Sequence, residues 1–249
     1  MANPIHQFVV EPLAPTLEVA GLDITFTNSS LWMLIAAVTS ALFLSLAMRK
    51  SALIPGRMQM SAELLYEFIG KMVSDNIGKK GKQYFPFIFT IFMFVLIGNI
   101  LGLVPYSFTF TSHIIVTGVM ALTVMFMTII FGLYNHGLKF FSLFLPPNVP
   151  WWLVAFVVPI EILSFFVRPI THSVRLCANM MAGHIILKVV VSFSVAAASM
   201  GTAWAVLGIF PVLIDVAFLM FELLVAGIQA YVFAILSCVY LKDSVDLHH

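Results

Sequence analysis

Six ionisable side chains lie inside two long apolar stretches in the second half of the chain. They are Glu161, Arg168, Arg175, Lys188, Asp215 and Glu222. Five polar side chains accompany them: Asn99, His172, Asn179, His184 and Gln229. An ionisable group at bilayer depth is costly, so such residues indicate a functional site. Structural ion pairs between helices are the alternative, but this many groups on two adjacent stretches favour a path for ions.

The intervals between these residues place several of them on common helix faces. Glu161, Arg168 and Arg175 are seven residues apart and therefore share one face. His184 follows Arg175 by nine residues, which turns it by about 180° to the opposite face. On the next stretch Asp215, Glu222 and Gln229 repeat the seven-residue interval and again share a face.

An antiparallel hairpin of the two stretches, turning near Gly201, would bring these faces together. Position 184 then lies opposite about position 217. The expected neighbours are Glu222 with His184, Asp215 with Lys188 as a supporting ion pair, and Gln229 with Arg175. Glu161 is left as a lone carboxylate, so the arrangement predicts a proton path in two halves with Arg175 between them.

The arginine gives a chemical reason for dividing such a path. A guanidinium group cannot be deprotonated in a protein, so Arg175 cannot relay a proton. It can attract a carboxylate on a partner surface and hold it ionised. At 4 Å the attraction is about 4 kcal/mol at a protein-like dielectric, which is enough to take a proton from a passing acid without trapping the acid.

The composition predicts the elements that must position these residues. The chain is 61% hydrophobic and 9% charged, whereas a soluble domain is about 25% charged, so lipid must be part of its solvent. We predict an all-α membrane protein with about five transmembrane helices, forming a single integral membrane domain over residues 1–249. The first three spans are expected at 31–48, 85–104 and 114–133. Residues 1–30 are expected to be an external segment, and 58–77 an amphipathic helix lying on the membrane.

The two remaining apolar stretches are too long for upright single spans. Residues 150–198 and 203–241 would measure roughly 70 and 58 Å as helices, against a hydrocarbon core of about 30 Å. Neither has a polar loop at its centre. We therefore predict that 150–241 is an oblique hairpin of two strongly tilted helices, bent near Pro159, Pro169 and Gly183.

The basic residues predict the orientation. Seven of the twelve lysines and arginines lie between positions 49 and 82, which the positive-inside rule assigns to the cytoplasmic or matrix side. The N-terminus is then outside and the C-terminus inside, as five spans require. A net charge of +1 argues against nucleic acid as a partner.

Several motifs resemble one known family. The run S-V-R-L-C-A-N-M-M-A-G-H at 173–184 resembles the S-x-R-L-x-x-N-x-x-A-G signature of subunit a, the proton-channel subunit of F-type ATP synthases. Further likenesses lie at 98–106, 159–161, 221–222, 229–233 and 240–243. The resemblance covers about residues 84–243, and the signature itself is highly specific.

The resemblance implies roles for the polar residues. Arg175 would be the essential arginine facing the ring of c subunits, and Glu161 would line the inner half-channel. The outer half-channel would hold His184 and Glu222, in the order of mitochondrial and related bacterial members. Asn99, Asn179, Gln229, Asp215 and Lys188 would complete the proton path. No role follows for Arg168, His172 or Cys177.

The implied protein is a proton-translocating stator subunit in a bacterial inner membrane, or alternatively a mitochondrial inner membrane. Its partners would be the c-subunit ring, b-type subunits of the peripheral stalk and, indirectly, the catalytic F1 sector. It would not be an enzyme by itself. We expect no nucleotide site, since there is no glycine-rich phosphate loop, and no metal or cofactor.

Two other classes of function fit the sequence less well. A free-standing secondary transporter typically has inverted repeats and broken helices, and the sequence shows neither. A membrane metalloenzyme could use His172, His184 and Glu222. The two histidines, however, are twelve residues apart, about 18 Å along one helix, which is too far for one metal ion.

Overall fold

The computed structural model describes residues 8–13, 15, 18–19, 22–23, 25–49, 52–104, 107–145, 150–199 and 209–245. Six α-helices lie within these residues: α1 Asn28–Met48, α2 Arg57–Ile77, α3 Phe85–Gly102, α4 Ile114–His136, α5 Trp151–Ser199 and α6 Ile209–Val245. Short 3₁₀ segments occupy Gly78–Gln83, Phe110–Ser112 and Gly137–Phe144. Two-residue strands, Glu18–Val19 and Leu22–Asp23, pair antiparallel near the N-terminus.

Five of these helices are long and apolar enough to cross a membrane, namely α1, α3, α4, α5 and α6. The prediction of an all-α membrane protein with about five spans is therefore confirmed. The predicted ends of α1, α3 and α4 agree with the structure to within three residues. The turn expected near Gly201 lies outside the described residues.

Helix α2 separates its apolar and charged residues. Ile69, Met72, Val73 and Ile77 are buried, whereas Glu67, Lys71 and Asp75 are exposed. The helix begins one residue before the predicted position 58 and ends where predicted. Its end is set by Gly78, which adopts φ +76° and donates its amide proton to the carbonyl of Ser74.

Each of the two long apolar stretches forms one helix. Helix α5 has 49 residues and continues through Pro159 and Pro169, and α6 has 37 residues. Internal prolines are tolerated in spanning helices because neighbouring groups satisfy the freed carbonyls. The oblique placement of both helices in the bilayer stays a prediction.

The chain forms two compact units. Unit 1 comprises Met1–Ser40, Phe94–His113 and Leu176–Ala230, and unit 2 comprises Ala41–Met93, Ile114–Arg175 and Tyr231–His249. The expectation that residues 1–249 act as a single membrane domain stays a prediction.

Unit 1 is built around the end of α3 and the loop that follows it. The Phe110 ring is 1% exposed and lies 5.5 Å from the Phe94 ring, centroid to centroid. A Cβ on Gly98 would lie 3.2 Å from Cε1 of Phe110, so the glycine allows this ring to pack on α3. The packing fixes the 3₁₀ segment and, with it, the preceding Thr109.

Unit 2 is held together by aromatic and polar contacts between its helices. The Tyr84 and Phe131 rings lie 4.8 Å apart, and Asn135 Nδ2 donates to Tyr84 Oη at 2.6 Å. His136 Nε2 lies 2.9 Å from the carbonyl oxygen of Val245, which ties the end of α4 to the end of α6.

Candidate functional site

His184 and Glu222 meet in unit 1, one from α5 and the other from α6. Nε2 of the histidine lies 3.9 Å from Oε1 of the carboxylate. Both residues are buried, with 9% and 5% of their surface exposed. At this separation a small movement or one bridging water would allow a proton to pass between them. The structure thus places side by side the two residues that the spacing predicts as neighbours.

Thr109 contacts the same imidazole nitrogen. Its Oγ1 lies 2.9 Å from His184 Nε2 and 3.3 Å from the carbonyl oxygen of Gly102. A hydroxyl carries one proton, so a Thr109 that donates its hydrogen bond to Gly102 must accept a hydrogen bond from the imidazole N–H. The hydrogen bond from Thr109 to Gly102, at the end of α3, therefore favours the His184 tautomer that carries its proton on Nε2.

Sequence reasoning missed Thr109. It lies in a loop, 75 residues before His184, and no periodic pattern includes it. The only sequence signal is Gly102, because a Cβ there would lie 2.9 Å from Thr109 Cγ2. A glycine at the end of an apolar helix is common, however, and does not identify what approaches it.

Gly183 makes room for the carboxylate. A Cβ at this position would lie 2.7 Å from Cδ of Glu222, closer than real Cβ atoms approach such a group. Only a glycine on α5 therefore lets the Glu222 side chain reach its place beside His184. This contact gives a physical reason for the A-G-H run at 182–184.

Two amide side chains continue the polar lining of unit 1. Asn179 Nδ2 donates to Gln229 Oε1 at 3.0 Å, which links α5 to α6. Asn99 Nδ2 donates to the Ala226 carbonyl oxygen at 3.3 Å, which links α3 to α6. These residues were expected in a proton path. Asn179 lies on α5 with His184, Gln229 lies on α6 with Glu222, and Asn99 lies on α3, which contacts α6 in this unit.

Four buried polar atoms of this cluster have no hydrogen-bond partner among the described residues. They are Asn99 Oδ1, Gln229 Nε2 and both carboxylate oxygens of Glu222. A buried polar group without a partner costs about 1–3 kcal/mol, so these atoms favour contact with water. For Glu222 and Gln229 a cavity of about 380 Å³ could hold this water, and its lining also includes Asn179 and Gly183.

The register between α5 and α6 in unit 1 differs from the predicted one. His184 lies beside Glu222 rather than position 217, a shift of about five residues. Asn179 pairs with Gln229 in nearly the same register. The prediction placed the turn at the only clear glycine signal, Gly201, whereas the contacts are symmetric about position 203 or 204.

The expected ion pair between Lys188 and Asp215 is absent from the described part of the chain. Lys188 is exposed and Asp215 is half-buried. Asp215 Oδ1 has no hydrogen-bond partner among the residues that the structure describes. The shifted register accounts for the missing pair, since it moves Asp215 away from the position opposite Lys188.

In unit 2, Glu161 is not the lone carboxylate that was expected. Arg168 Nη2 lies 3.7 Å from Glu161 Oε1, and both residues are on α5. The Arg168 guanidinium also lies over the Tyr240 ring of α6, 5.7 Å from its centroid. The seven-residue interval predicts the shared face, but the expectation overlooked that an arginine is long enough to reach back two turns.

His172 is buried against aromatic rings. It is 1% exposed, and its ring centroid lies 3.9 Å from that of Phe233 on α6. Neither ring nitrogen has a hydrogen-bond partner within the described ranges. The sequence assigns this histidine no role, and its packing in unit 2 is that of a core residue with an unsatisfied polar edge.

Arg175 is exposed on α5. It forms no ion pair with any residue that the structure describes. A charged side chain on an otherwise apolar helix needs a counter-charge or water. The described part of the chain supplies no such counter-charge to Arg175.

The described residues contain no group of three His, Cys, Asp or Glu side chains arranged to hold a metal ion. Cys177 instead lies in unit 1 with its Sγ 2.8 Å from the carbonyl oxygen of Ser112. It is buried and forms no disulfide within the described residues, so it packs as a small residue beside the loop that holds Thr109.

Comparisons with known proteins show the family of this chain. The family model described as ATP synthase A chain matches residues 30–242. The protein named ATP synthase subunit a from Parvibaculum lavamentivorans is 49% identical over 248 residues, covering 99% of this chain and 95% of that one. Those of the same name from Nitrobacter hamburgensis and Bradyrhizobium diazoefficiens are 47% and 48% identical, each over 249 residues and at least 99% of both chains. The chain belongs to the ATP synthase A chain family.

Proposed function

We propose that this chain carries protons across the membrane as a subunit of an ATP synthase. The observation that supports this most directly is the buried His184–Glu222 pair beside a polar cavity, in a chain whose relatives are named ATP synthase subunit a. Proton flow through the subunit would be coupled to rotation of a partner ring, and through it to ATP synthesis elsewhere in the complex.

The first half of the proposed path is in unit 1. Protons would reach Glu222 and His184 through the cavity lined by the amides of Asn179 and Gln229. Asn99 would hold α6 at this depth through its bond to Ala226. Buried polar atoms that need hydrogen-bond partners would order the water along which protons move. Asp215 and Lys188 would lie at the margin of this path.

Arg175 would face the moving partner. It stands between Glu161 and His184 in the sequence of α5, it is exposed, and it forms no ion pair within the described chain. A carboxylate arriving on the partner would lose its proton next to the guanidinium, because the opposite charge favours the ionised form. Since the guanidinium cannot give up its own proton, it would also block direct leakage.

Glu161 would line the second half of the path, which releases protons on the inner side. Its carboxylate is half-buried and is held by Arg168. The pair gives the acid a fixed place on α5, from which it can accept a proton and pass it to water.

The partners follow from this mechanism. The partner of the exposed Arg175 would be a ring of small membrane subunits, each of which carries a carboxylate at bilayer depth. We further propose b-type stalk subunits that keep the chain stationary, and a catalytic sector that handles nucleotide. The location would be a bacterial inner membrane, with the N-terminus outside and the C-terminus in the cytoplasm.

The proposal can be tested in a bacterium that lacks its own copy of this subunit. Inverted membrane vesicles carrying the chain should acidify when ATP is added, and the chain should co-purify with a ring of small hairpin subunits. Glu222→Gln should abolish most of the acidification, whereas Glu67→Gln on the exposed face of α2 should not. Full acidification with Glu222→Gln, in vesicles that contain normal amounts of the complex, would contradict the proposed path.

A further inference from the structure

A second cavity lies in unit 2, where the amphipathic helix α2 meets the start of α3. Its volume is about 400 Å³, and it is lined by Tyr66, Gly70, Val73, Ser74, Gly78, Lys82 and Phe85. None of these residues is in the proposed proton path. We propose that this cavity binds the phosphate headgroup of an anionic phospholipid.

Two glycines keep the cavity open. A Cβ on Gly70 would only touch the Phe85 ring, at 3.7 Å, and a Cβ on Gly78 would meet nothing within 4 Å. Gly78 also adopts φ +76°, a conformation that ends α2 and turns the chain into the 3₁₀ segment. Gly70 and Gly78 thus contribute no side chain that would fill the cavity.

The part of the lining towards the end of α2 is polar and basic. It includes Ser74, about 12 Å beyond Tyr66 along the helix, and Lys82, and both residues are exposed. Lys82 belongs to the 3₁₀ segment Gly78–Gln83, whose sequence G-K-K-G-K-Q holds three lysines and no acid. On α2, Glu67, Lys71 and Asp75 each follow a lining residue in the sequence. Together they carry one net negative charge, which the three lysines of the 3₁₀ segment outweigh. The local field therefore favours an anion.

The other end is aromatic. The Tyr66 and Phe85 rings lie 4.6 Å apart, and Phe89 stacks on Phe85 at 5.4 Å one turn further along α3. Tyr66 is 57% exposed. Aromatic side chains of this kind sit at membrane interfaces, and here they form an apolar strip that leads from the basic end along a spanning helix.

A basic end joined to an apolar strip matches an amphiphile rather than a free ion. A phospholipid would place its phosphate at Lys82 and its acyl chains along Tyr66, Phe85 and Phe89. Exposed apolar residues on α2, among them Met60, Leu64 and Phe68, would put the cavity at headgroup depth. A zwitterionic lipid has the same tails but no net charge, so the lysine selects against it.

The test uses the full chain in native membrane vesicles. Photoactivatable phosphatidylglycerol and phosphatidylcholine, with the reactive group near the headgroup, are cross-linked in parallel, and adducts are mapped to peptides. We expect phosphatidylglycerol to label residues 66–85 preferentially. Lys82→Gln should reduce this labelling about fivefold, the effect expected of losing one direct charge pair between the lysine and the phosphate. Gly70→Leu, which fills the cavity, should reduce it too.

Lys71→Gln is the matched control. It also removes one positive charge, but from a residue on α2 that does not line the cavity. It should leave the labelling unchanged. Equal labelling by the two lipids, or an equal loss with Lys71→Gln, would overturn the proposal. Suppression of the labelling by inorganic phosphate would also overturn it, because the site would then bind a soluble anion. Adducts confined to another subunit would overturn it as well, because a protein would then cover the cavity.

Discussion

Nε2 of His184 and Oε1 of Glu222 lie 3.9 Å apart, and Oγ1 of Thr109 lies 2.9 Å from the same nitrogen. One ring nitrogen thus faces both a carboxylate and a hydroxyl. The three side chains come from α5, α6 and the loop after α3. A proton on this nitrogen can be shared with either neighbour, so these residues should behave as a unit.

Exchanging the histidine and the acid should preserve part of the function. His184→Glu and Glu222→His each leave two like groups side by side, and we expect each to lower proton flux about a hundredfold or more, in the range of losing a general acid–base group. The double variant restores one acid and one imidazole and should recover part of the flux. The measurement is ATP-driven acidification of membrane vesicles. A double variant no better than the worse single variant would show that the residues act separately.

Thr109→Val should weaken proton flux by about two- to tenfold, the range of one hydrogen bond. Valine keeps the shape and removes the hydroxyl group that contacts His184, whereas Thr109→Ser keeps the hydroxyl group and should retain most of the flux. Thr117→Val is the matched control, since Thr117 is also buried and its Oγ1 lies 2.9 Å from Ser173 Oγ in unit 2. Equal losses with Thr109→Val and Thr117→Val would assign Thr109 a merely structural role.

The sequence predicts the helices of this protein better than the contacts between them. Long apolar runs bounded by charged or turn residues define α1, α3 and α4 to within three residues. Seven-residue intervals also predict that Glu222 faces α5. The register of α6 on α5 could not be predicted, because it depends on the loop between them and on side-chain volumes at the contact. Gly183 illustrates this, since its role depends on a carboxylate 39 residues away.

The loops were the least predictable part. Thr109 and Gly102 are brought into contact by a loop whose sequence has no periodicity. A threonine in a loop gives no sign in the sequence of what it will contact. Arg168 was predicted on the correct face but not as the partner of Glu161. Arginine side chains reach several neighbours, so the pairing is decided by packing against Tyr240, which only the folded structure brings near.

Arg175→Ala should abolish both ATP synthesis and ATP-driven pumping while leaving the chain in the membrane. Passive proton leak should rise, because the proposed barrier between the two half-paths is lost. Arg175→Lys should also fail, since an ammonium group can lose its proton and lacks the planar fork of a guanidinium. Arg57→Ala removes an exposed arginine from α2 and should change neither activity nor leak. Coupled synthesis retained in either Arg175 variant would contradict the proposed barrier.

Helices α5 and α6 should cross the membrane steeply inclined. Their apolar cores, Trp152–Phe193 and Val212–Lys242, have 42 and 31 residues, or roughly 63 and 46 Å of helix. Fitting these lengths into about 30 Å of hydrocarbon requires tilts of about 60° and 50° from the membrane normal. Helix α4, with 23 residues, should stand much closer to upright. Electron cryomicroscopy of the complex in lipid nanodiscs would measure all three angles, and upright α5 and α6 would refute the prediction.

Gly183→Ala should reduce proton flux strongly, because the new methyl group would occupy space now filled by the Glu222 carboxyl group. Glu222 lines a cavity of about 380 Å³ that can take the displaced carboxylate, so we expect the group to move away from His184 and the flux to fall about a hundredfold or more. Gly227→Ala is the control on α6, where a Cβ would meet nothing within 4 Å. It should be neutral or slightly stabilising, since alanine favours a helix by about 1 kcal/mol over glycine.

A compensating change distinguishes this steric effect from a general loss of folding. Glu222→Asp shortens the acid by one methylene group and withdraws the carboxylate from position 183. Combined with Gly183→Ala, it should therefore restore more flux than Gly183→Ala alone, although Glu222→Asp by itself should lower flux by lengthening the distance to His184. If the double variant is as inactive as Gly183→Ala while all three variants reach the membrane in equal amounts, the glycine serves some purpose other than making room for Glu222.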